Sequence, residues 1–489
     1  MKPRLSRLVL SLALLVTSLL QGEGGRAAET SAFDHLRAIV DRSAAPEYRR
    51  AGTPGMAAVA DYAAQRLAGA GYTVVRQDFA FTRYAIDYAA GHAPMLERVV
   101  DGYDIKVESA FNLQKTTSAA GVTCVVRPVA DVGPGDCGFV PFRNASPEWK
   151  NAPFVTVGDQ LDAVVAAGGV AAIVQGDDRR HLVFALSSRR PLPVLVAATD
   201  ETSILGQAVR LRAMGAPLAA TGHNVLGVLR PPAGSSEYVV LLAHADGWFQ
   251  AAADNGSGAA AILRAAELLG AAHPGIGILV GLMDAEEVGL IGAERLVQAL
   301  DAGLTPGDGG PPIHTGDVKA VINLDAATAR ASDVQNMIRA TKAPADAPVF
   351  QWRAMVFSEE PVLQAAFLAR YAAHGVLGLP IPSSVFAPVG SGAIDGRLRS
   401  DVQHFAATGI PFVWPVSGYP EYHTDGDTLA TVYPDDLEAL ATATAELAGD
   451  IAILPIGRVP EPLWPPFGAA LQLPADLART LHDHLAHDH

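Results

Sequence analysis

Cysteine is nearly absent: Cys124 and Cys137 are the only two in 489 residues. Two thiols cannot build a zinc finger, and a chain of this length does not owe its core to a disulfide framework. Paired in an oxidising compartment, they would close a short loop and contribute about 3 kcal/mol at most. Charge is sparse too: Asp, Glu, Lys and Arg make up 18% against 49% apolar residues, which excludes a disordered chain. Positive charge is the scarcer sign, with 36 Lys and Arg against 51 Asp and Glu and a formal charge of -15. Such a surface repels nucleic acid and anionic membranes, so neither is expected as a partner. Its acidity reads first as solubility, and second as a preference for cationic ligands. No apolar run reaches spanning length, and no phosphate loop, dinucleotide fingerprint, zinc-finger spacing or internal repeat occurs. What remains is a folded protein with a large core and more than one domain.

The first residues read as an address. Lys2, Arg4 and Arg7 precede an apolar run, Leu8 to Leu20, and the small residues Gly24, Gly25, Ala27 and Ala28 follow. This is the three-part pattern of a secretory signal peptide, and the run is too short to cross a bilayer. Residues 1–27 are expected to be removed and the protein exported, to the periplasm or beyond the cell. No Cys follows the run, so no lipid anchor or stable membrane association is expected. Removal takes away Lys2, Arg4, Arg7, Arg26 and Glu23, which moves the formal charge to -18.

Beyond this leader, Phe33 to Gly71 is helical in pattern, with breaks near Pro46 and Pro54, and Thr73 to Phe81 alternates like a strand. A stretch of short apolar strands, among them Ala171 to Val174 and Pro193 to Val196, is broken by Gly, Pro and Asp turns and holds a helical segment, Leu161 to Ala167. Buried strands then alternate with helices: Tyr238 to Ala243, Gly258 to Leu269, Ile276 to Met283, Gly289 to Leu300, Val318 to Leu324, Pro411 to Val416 and Leu437 to Ala448. Continuous apolar strands between helices imply an α/β fold, its sheet mixed but largely parallel and covered by helices on both faces. The expected division is a catalytic domain of residues 30–115 and 219–454, a β-rich insert at 116–218, and a Pro- and His-rich tail at 455–489. That tail ends in His482, His484, His487 and His489, which read as a mobile segment before they read as metal ligands.

The chemistry sits just past the buried strands. His244-Ala245-Asp246 follows the first, and Asp254-Asn255-Gly256-Ser257-Gly258 opens the next helix. Asp284-Ala285-Glu286-Glu287, Asp325 and Tyr422-His423-Thr424 follow the others. Sites in open α/β sheets lie outside the carboxyl ends of the strands, so these groups should converge. Carboxylates packed together repel and need a cation, and Zn2+ accepts imidazole and carboxylate ligands. Each piece alone is weak. Glu359-Glu360 repeats the acidic pair where the sequence suggests no buried strand before it, and Asp-Asn-Gly-Ser-Gly is ordinary helix-cap chemistry.

Taken in order, the segments resemble the zinc metallopeptidase family of aminopeptidase Y, secreted bacterial leucyl aminopeptidases and glutamate carboxypeptidases. The resemblance rests on His244-Ala245-Asp246, Asp254 to Gly258, Glu286-Glu287-Val288-Gly289-Leu290-Ile291-Gly292, Asn323-Leu324-Asp325 and Tyr422-His423-Thr424-Asp425-Gly426-Asp427-Thr428, within residues 33 to 450. It implies a zinc-peptidase-like α/β/α sandwich and two zinc ions. One ion would take His244, Asp254 and Asp325, the other Asp254, Glu287 and His423. It also implies Glu286 as general base, Asp246 as the group orienting His244, and a cis Asp254-Asn255 bond. The insert resembles a protease-associated domain. Peptides are the implied substrates, with an aminopeptidase first and a carboxypeptidase or dipeptidase as the alternative; loss of metal ligands, as in binding ectodomains of this fold, is not seen. The chain departs from the pattern at Ala251, where Gly is usual, and at Val402, where Ser400-Asp401 would be followed by His. Arg397 and Arg399 stand where a Tyr oxyanion donor is found in some relatives, and Trp248-Phe249 reads either as pocket lining or as a core pair.

Overall fold

The computed structural model describes residues 30–105, 107–109, 115–141, 157–175, 191–197, 204–328, 353–386, 398, 400–419 and 421–459. The leader, the terminal histidines, Arg397 and Arg399 lie outside the described residues.

Two eight-stranded sheets account for the described strands, numbered here in chain order. The first runs β1 (Thr73–Ala85), β10 (Ala216–Leu229), β12 (Gly277–Met283), β11 (Tyr238–His244), β13 (Val318–Asn323), β16 (Phe412–Val416), β14 (Ala354–Phe357), β15 (Leu379–Pro382). β12, β11, β13 and β16 are mutually parallel, while β1, β10 and β14 join by antiparallel pairing. The parallel strands lack alternation because neither face meets water: every residue of β11 and β12 is buried. Helices Gly258–Ala272 and Pro434–Ile451 pack on each other and on β11 and β13. Ile291–Ala302 and Val402–Ala406 pack on each other and on β10, β13 and β16. The resulting mixed, largely parallel sheet between helical layers is the α/β architecture expected from the strand texture.

Local chemistry fixes the helix ends. Ser31 and Thr53 accept main-chain hydrogen bonds at the starts of Ala32–Val40 and Pro54–Gly69, and Pro54 fills the first turn, where its missing N–H costs nothing.

The second sheet runs β3 (Asp104–Ile105), β2 (Met95–Arg98), β9 (Ala208–Arg212), β5 (Val122–Pro128), β6 (Cys137–Pro141), β7 (Ala171–Gln175), β8 (Val194–Ala197), β4 (Val107–Ser109). Its strands alternate between two apolar clusters: Cys137, Phe139 and Ile173 enter one, Val140, Ala172 and Val174 the other. Cys124 and Cys137 are joined as a disulfide across the parallel β5–β6 pair. The sheet takes in β2, β3 and β4, so its strands begin at Met95, ahead of residue 116.

One reading of the sequence is corrected. A buried strand, β14, does precede Glu359-Glu360. That acidic pair stays outside the candidate site because β14 runs antiparallel to β16 and therefore delivers its carboxyl end to the opposite rim. There Glu359 accepts hydrogen bonds from Ser383 Oγ and the Ser384 N–H, and Glu360 caps the helix Pro361–Ala373.

The central strand should carry much of the stability. Leu241 is fully buried between β12 and β13. Leu241→Ala is expected to cost about 2–5 kcal/mol, read as a lowered urea midpoint for the full chain; an unchanged midpoint would contradict this packing.

Candidate metal centre

The register of the parallel strands aims the acidic and imidazole groups at one rim. His244 is the last residue of β11 and pairs with Met283, the last of β12, so Asp284 to Glu287 emerge beside it. Asp325 follows β13 and bridges to Val416 at the end of β16, from which the chain reaches His423. Asp254 and Asn255 lie in the turn Ala252–Ser257 ahead of the helix Gly258–Ala272, and the bond between them is cis. Asn255 holds this turn to the sheet: Nδ2 donates to Leu324 O, and Oδ1 accepts from the Gly258 and Ala326 N–H groups.

The groups meet closely. His244 Nε2 lies 3.3 Å from Asp254 Oδ1, 3.5 Å from Asp325 Oδ1 and 4.0 Å from Glu286 Oε2. His423 Nε2 lies 3.2 Å from Asp254 Oδ2 and 3.0 Å from Glu287 Oε2. Asp254 thus spans two imidazoles with its two oxygens. All seven residues singled out from the sequence are buried and gathered here: His244, Asp246, Asp254, Glu286, Glu287, Asp325 and His423. Asp246 reaches further than an orienting role for His244 requires. Its main-chain oxygen lies 3.2 Å from His244 Nδ1, while its carboxylate accepts from the Glu286 and Glu287 N–H groups.

A layer of supporting groups surrounds these. Asp427 accepts from the Ala253 and Asp254 N–H groups, Tyr419 Oη and Thr431 Oγ1, which fixes the main chain under Asp254. Ser400 Oγ donates to Asp325 Oδ2 and accepts from Asn323 Nδ2. Trp248 Nε1 donates to Glu287 Oε2, and the Trp248-Phe249 pair is buried against Tyr48 and Val288, so the pair is both core and site wall. The Tyr422 ring stacks on His423 at 4.0 Å. Ala251 adopts φ 44° and ψ 48°, a left-handed conformation costing a non-glycine residue about 1–2 kcal/mol. The Arg49 guanidinium donates to the Ala251 and Gln250 carbonyls and, at 2.9 Å, to that of Ala245. Arg49 is fully buried and escaped the sequence reading, because nothing in Tyr48-Arg49-Arg50 marks one arginine as internal.

The electrostatics state what is missing from the acids alone. Burial pushes Glu287 up to about 7 against the pull of His423, and pushes Asp401 and Asp284 up to about 8 and Asp427 up to about 6. Burial also lifts the Glu286 carboxyl well above the usual range. Burial opposes charge on the His244 and His423 rings, but the neighbouring carboxylates outweigh it and hold both rings well above their ordinary range. Asp254 is held low despite its burial by its contacts with both rings. Asp254 Oδ2, Glu287 Oε1 and both Asp401 oxygens lack hydrogen bonds. Donor atoms of His244, Glu286 and Asp325, and likewise of His244, Asp254 and Glu287, lie within 4.8 Å of one another. Packed oxygen and nitrogen donors with unused lone pairs and surplus negative charge fit divalent cations, and the mixture of imidazole and carboxylate suits zinc.

Residues 224–448, which hold every one of these donors, match Peptidase family M28, in agreement with the resemblance carried by the motifs. Proteins described as "Aminopeptidase" from two strains of Pseudomonas aeruginosa are 30% identical over 308 residues, covering 57% of this chain and 53% of theirs. The chain therefore spans about half the length of the curated relatives it matches. Among solved structures, a Peptidase M28 precursor from Shewanella amazonensis superposes with TM-score 0.65 at 16% identity, covering 92% of this chain and 98% of that one. A zinc aminopeptidase from Bacillus subtilis gives 0.60 at 18%, covering 88% and 96%. At these identities the structures establish the shared fold.

With no cation bound, the folded chain holds protons on these acids and rings that the unfolded chain has already released. Stability falls with rising pH wherever the folded state binds more protons. The chelator-treated protein should therefore unfold at lower temperature at pH 8 than at pH 6. Asp254, with the opposite sign, acts only below about pH 4. Calorimetry at the two pH values checks this, and an equal or higher midpoint at pH 8 would refute it.

Proposed function

We propose that this chain is an exported zinc-dependent aminopeptidase that removes N-terminal residues from peptides and binds two zinc ions. The observation that carries the reading is the convergence of two imidazoles with the carboxylates of Asp254, Glu287 and Asp325, Asp254 lying between the two rings and Glu286 beside them. In this reading His244, Asp254 and Asp325 hold one ion, and Asp254, Glu287 and His423 hold the other. The orphaned oxygens of Asp254 and Glu287 and the uncompensated negative charge support it. Bound there, zinc supplies Lewis acidity and a water of lowered pKa.

The chain's own residues supply the rest. Glu286 stands at the rim with Oε2 4.0 Å from His244 Nε2 and makes no part of either ligand set. It takes the proton of the attacking water and returns it to the leaving amine, ending in its starting state. Asp246 fixes the main chain of Glu286 and Glu287 together, so base and ligand are placed as one unit. Trp248 keeps the Glu287 carboxylate oriented and dry. Asp427 does the same for the main chain of Asp254.

Export is proposed from the pattern of residues 1–27. Among the described residues no helix is long and apolar enough to cross a membrane. The second sheet, Met95–Arg212, is proposed as the inserted, protease-associated-like body, with the first sheet and its helices as the catalytic one.

Glu286→Gln should lower kcat by about a hundred- to ten-thousandfold while zinc content by mass spectrometry stays at two per chain. Chelator should abolish turnover and zinc restore it. Peptides with a free N-terminus should be cleaved and their N-acetylated forms spared. Equal cleavage of both would replace the aminopeptidase with a carboxypeptidase or dipeptidase, and full activity in chelator would sink the zinc reading.

A further inference from the structure

We propose that Asp401 is a positioning residue of the metal centre, a buried carboxylate behind His244 and Asp325 that strengthens cation binding at that half of the centre and leaves the half around Glu287 and His423 unaffected. The inference rests on the zinc reading above and concerns a residue outside both ligand sets.

Asp401 is fully buried, and neither of its carboxylate oxygens has a hydrogen bond. It stands at the N-cap of the helix Val402–Ala406, where an Asp ordinarily accepts a main-chain N–H, yet it makes no capping bond. A buried carboxylate with no partner is costly, and folds keep one where a positive charge compensates it. The charged groups acting on Asp401 are His244, Asp246 and Asp325, and Asp401 in turn raises the carboxyl of Glu286; neither Glu287 nor His423 is among its partners. Arg49, the buried cation, acts most on Asp427, Asp254, Asp246 and Glu287 and is not among the groups acting on Asp401. Among the described residues, the His244 ring is the one positive group acting on Asp401. Its backbone is tied to the same half of the centre, since the preceding Ser400 hydroxyl donates to Asp325 Oδ2 at 2.7 Å and accepts from Asn323 Nδ2 at 2.7 Å.

The test is zinc titration of the metal-stripped full chain against a chromophoric chelator, for wild type and for Asp401→Asn, which keeps the shape and removes the charge. One of the two zinc affinities should weaken by about tenfold or more while the other stays within twofold. Melting of the same proteins in chelator separates positioning from a structural role: the metal-free variant should unfold at or above the wild-type temperature, and only its gain on adding zinc should shrink. Asp401→Ser, smaller and neutral, carries the same expectation should the Asn variant fold poorly. The proposal is overturned if both affinities stay within twofold, if both weaken alike, or if the metal-free variant loses as much stability as the zinc-loaded one. Failure of the wild type itself to take up zinc would overturn the zinc reading and this proposal together, an outcome distinct from a variant that matches wild type.

Discussion

Negative charge packed away from water must be answered by positive charge, and the rim of the first sheet is organised around that requirement. Asp246, Asp254, Glu286, Glu287, Asp325, Asp401 and Asp427 are all buried within one region, answered among the described residues by two imidazoles and Arg49. The raised carboxyls of Glu286, Glu287, Asp401 and Asp427 show the strain of that imbalance. Interiors tolerate such clusters when hydrogen bonds and cations complete them. Here the hydrogen bonds are supplied to Asp246, Asp325 and Asp427, which face the supporting layer, and withheld from oxygens of Asp254 and Glu287, which face one another.

The sheet makes this crowding affordable by rigidity. β12, β11, β13 and β16 lie side by side and run the same way, so their carboxyl ends present one row of side chains at the spacing of strands. A one-residue slip of β11 against β12 would reverse the facing of its side chains and carry His244 from the site. The buried apolar residues of these strands oppose any such slip, and in that sense packing in the core sets the geometry of the rim.

Much of this was legible in the residues. Strands without alternation announced a parallel sheet covered on both sides, and the ordered appearance of His244, Asp254, Glu286-Glu287, Asp325 and His423 after them announced a site, because strand ends share a rim. Less was legible where a segment's partner decides its structure. The first part of β10, residues 216–221, is largely exposed and is held as a strand by pairing with β1. β15 carries Pro380 and Pro382, which suit an edge strand and lack the signature of one in the interior. The strands Met95–Arg98 to Val107–Ser109 are short and mixed in composition, so nothing in their own pattern assigned them to the second sheet. Glu359-Glu360 looked unlike the site for the wrong reason: a buried strand does precede it, and only the direction of that strand sets it apart. Arg49 has no periodicity or motif to betray it, and Asp401 showed only through the Ser400-Asp401 fragment of the family pattern, which gave it no role; burial distinguishes both, and burial belongs to the folded chain.

The donors come to the rim from segments far apart along the chain, and the loop Glu421–Thr431 that brings His423 and Asp427 follows the last strand of the parallel row. No early portion of the polypeptide owns both imidazoles. A nascent or partly folded chain therefore lacks the full donor set, and a cation held by that set would be captured only after the topology is complete. Maturation would then be a logical conjunction: the ion is admitted only when every crossover has closed, which makes correct folding itself the licence for whatever chemistry the centre performs.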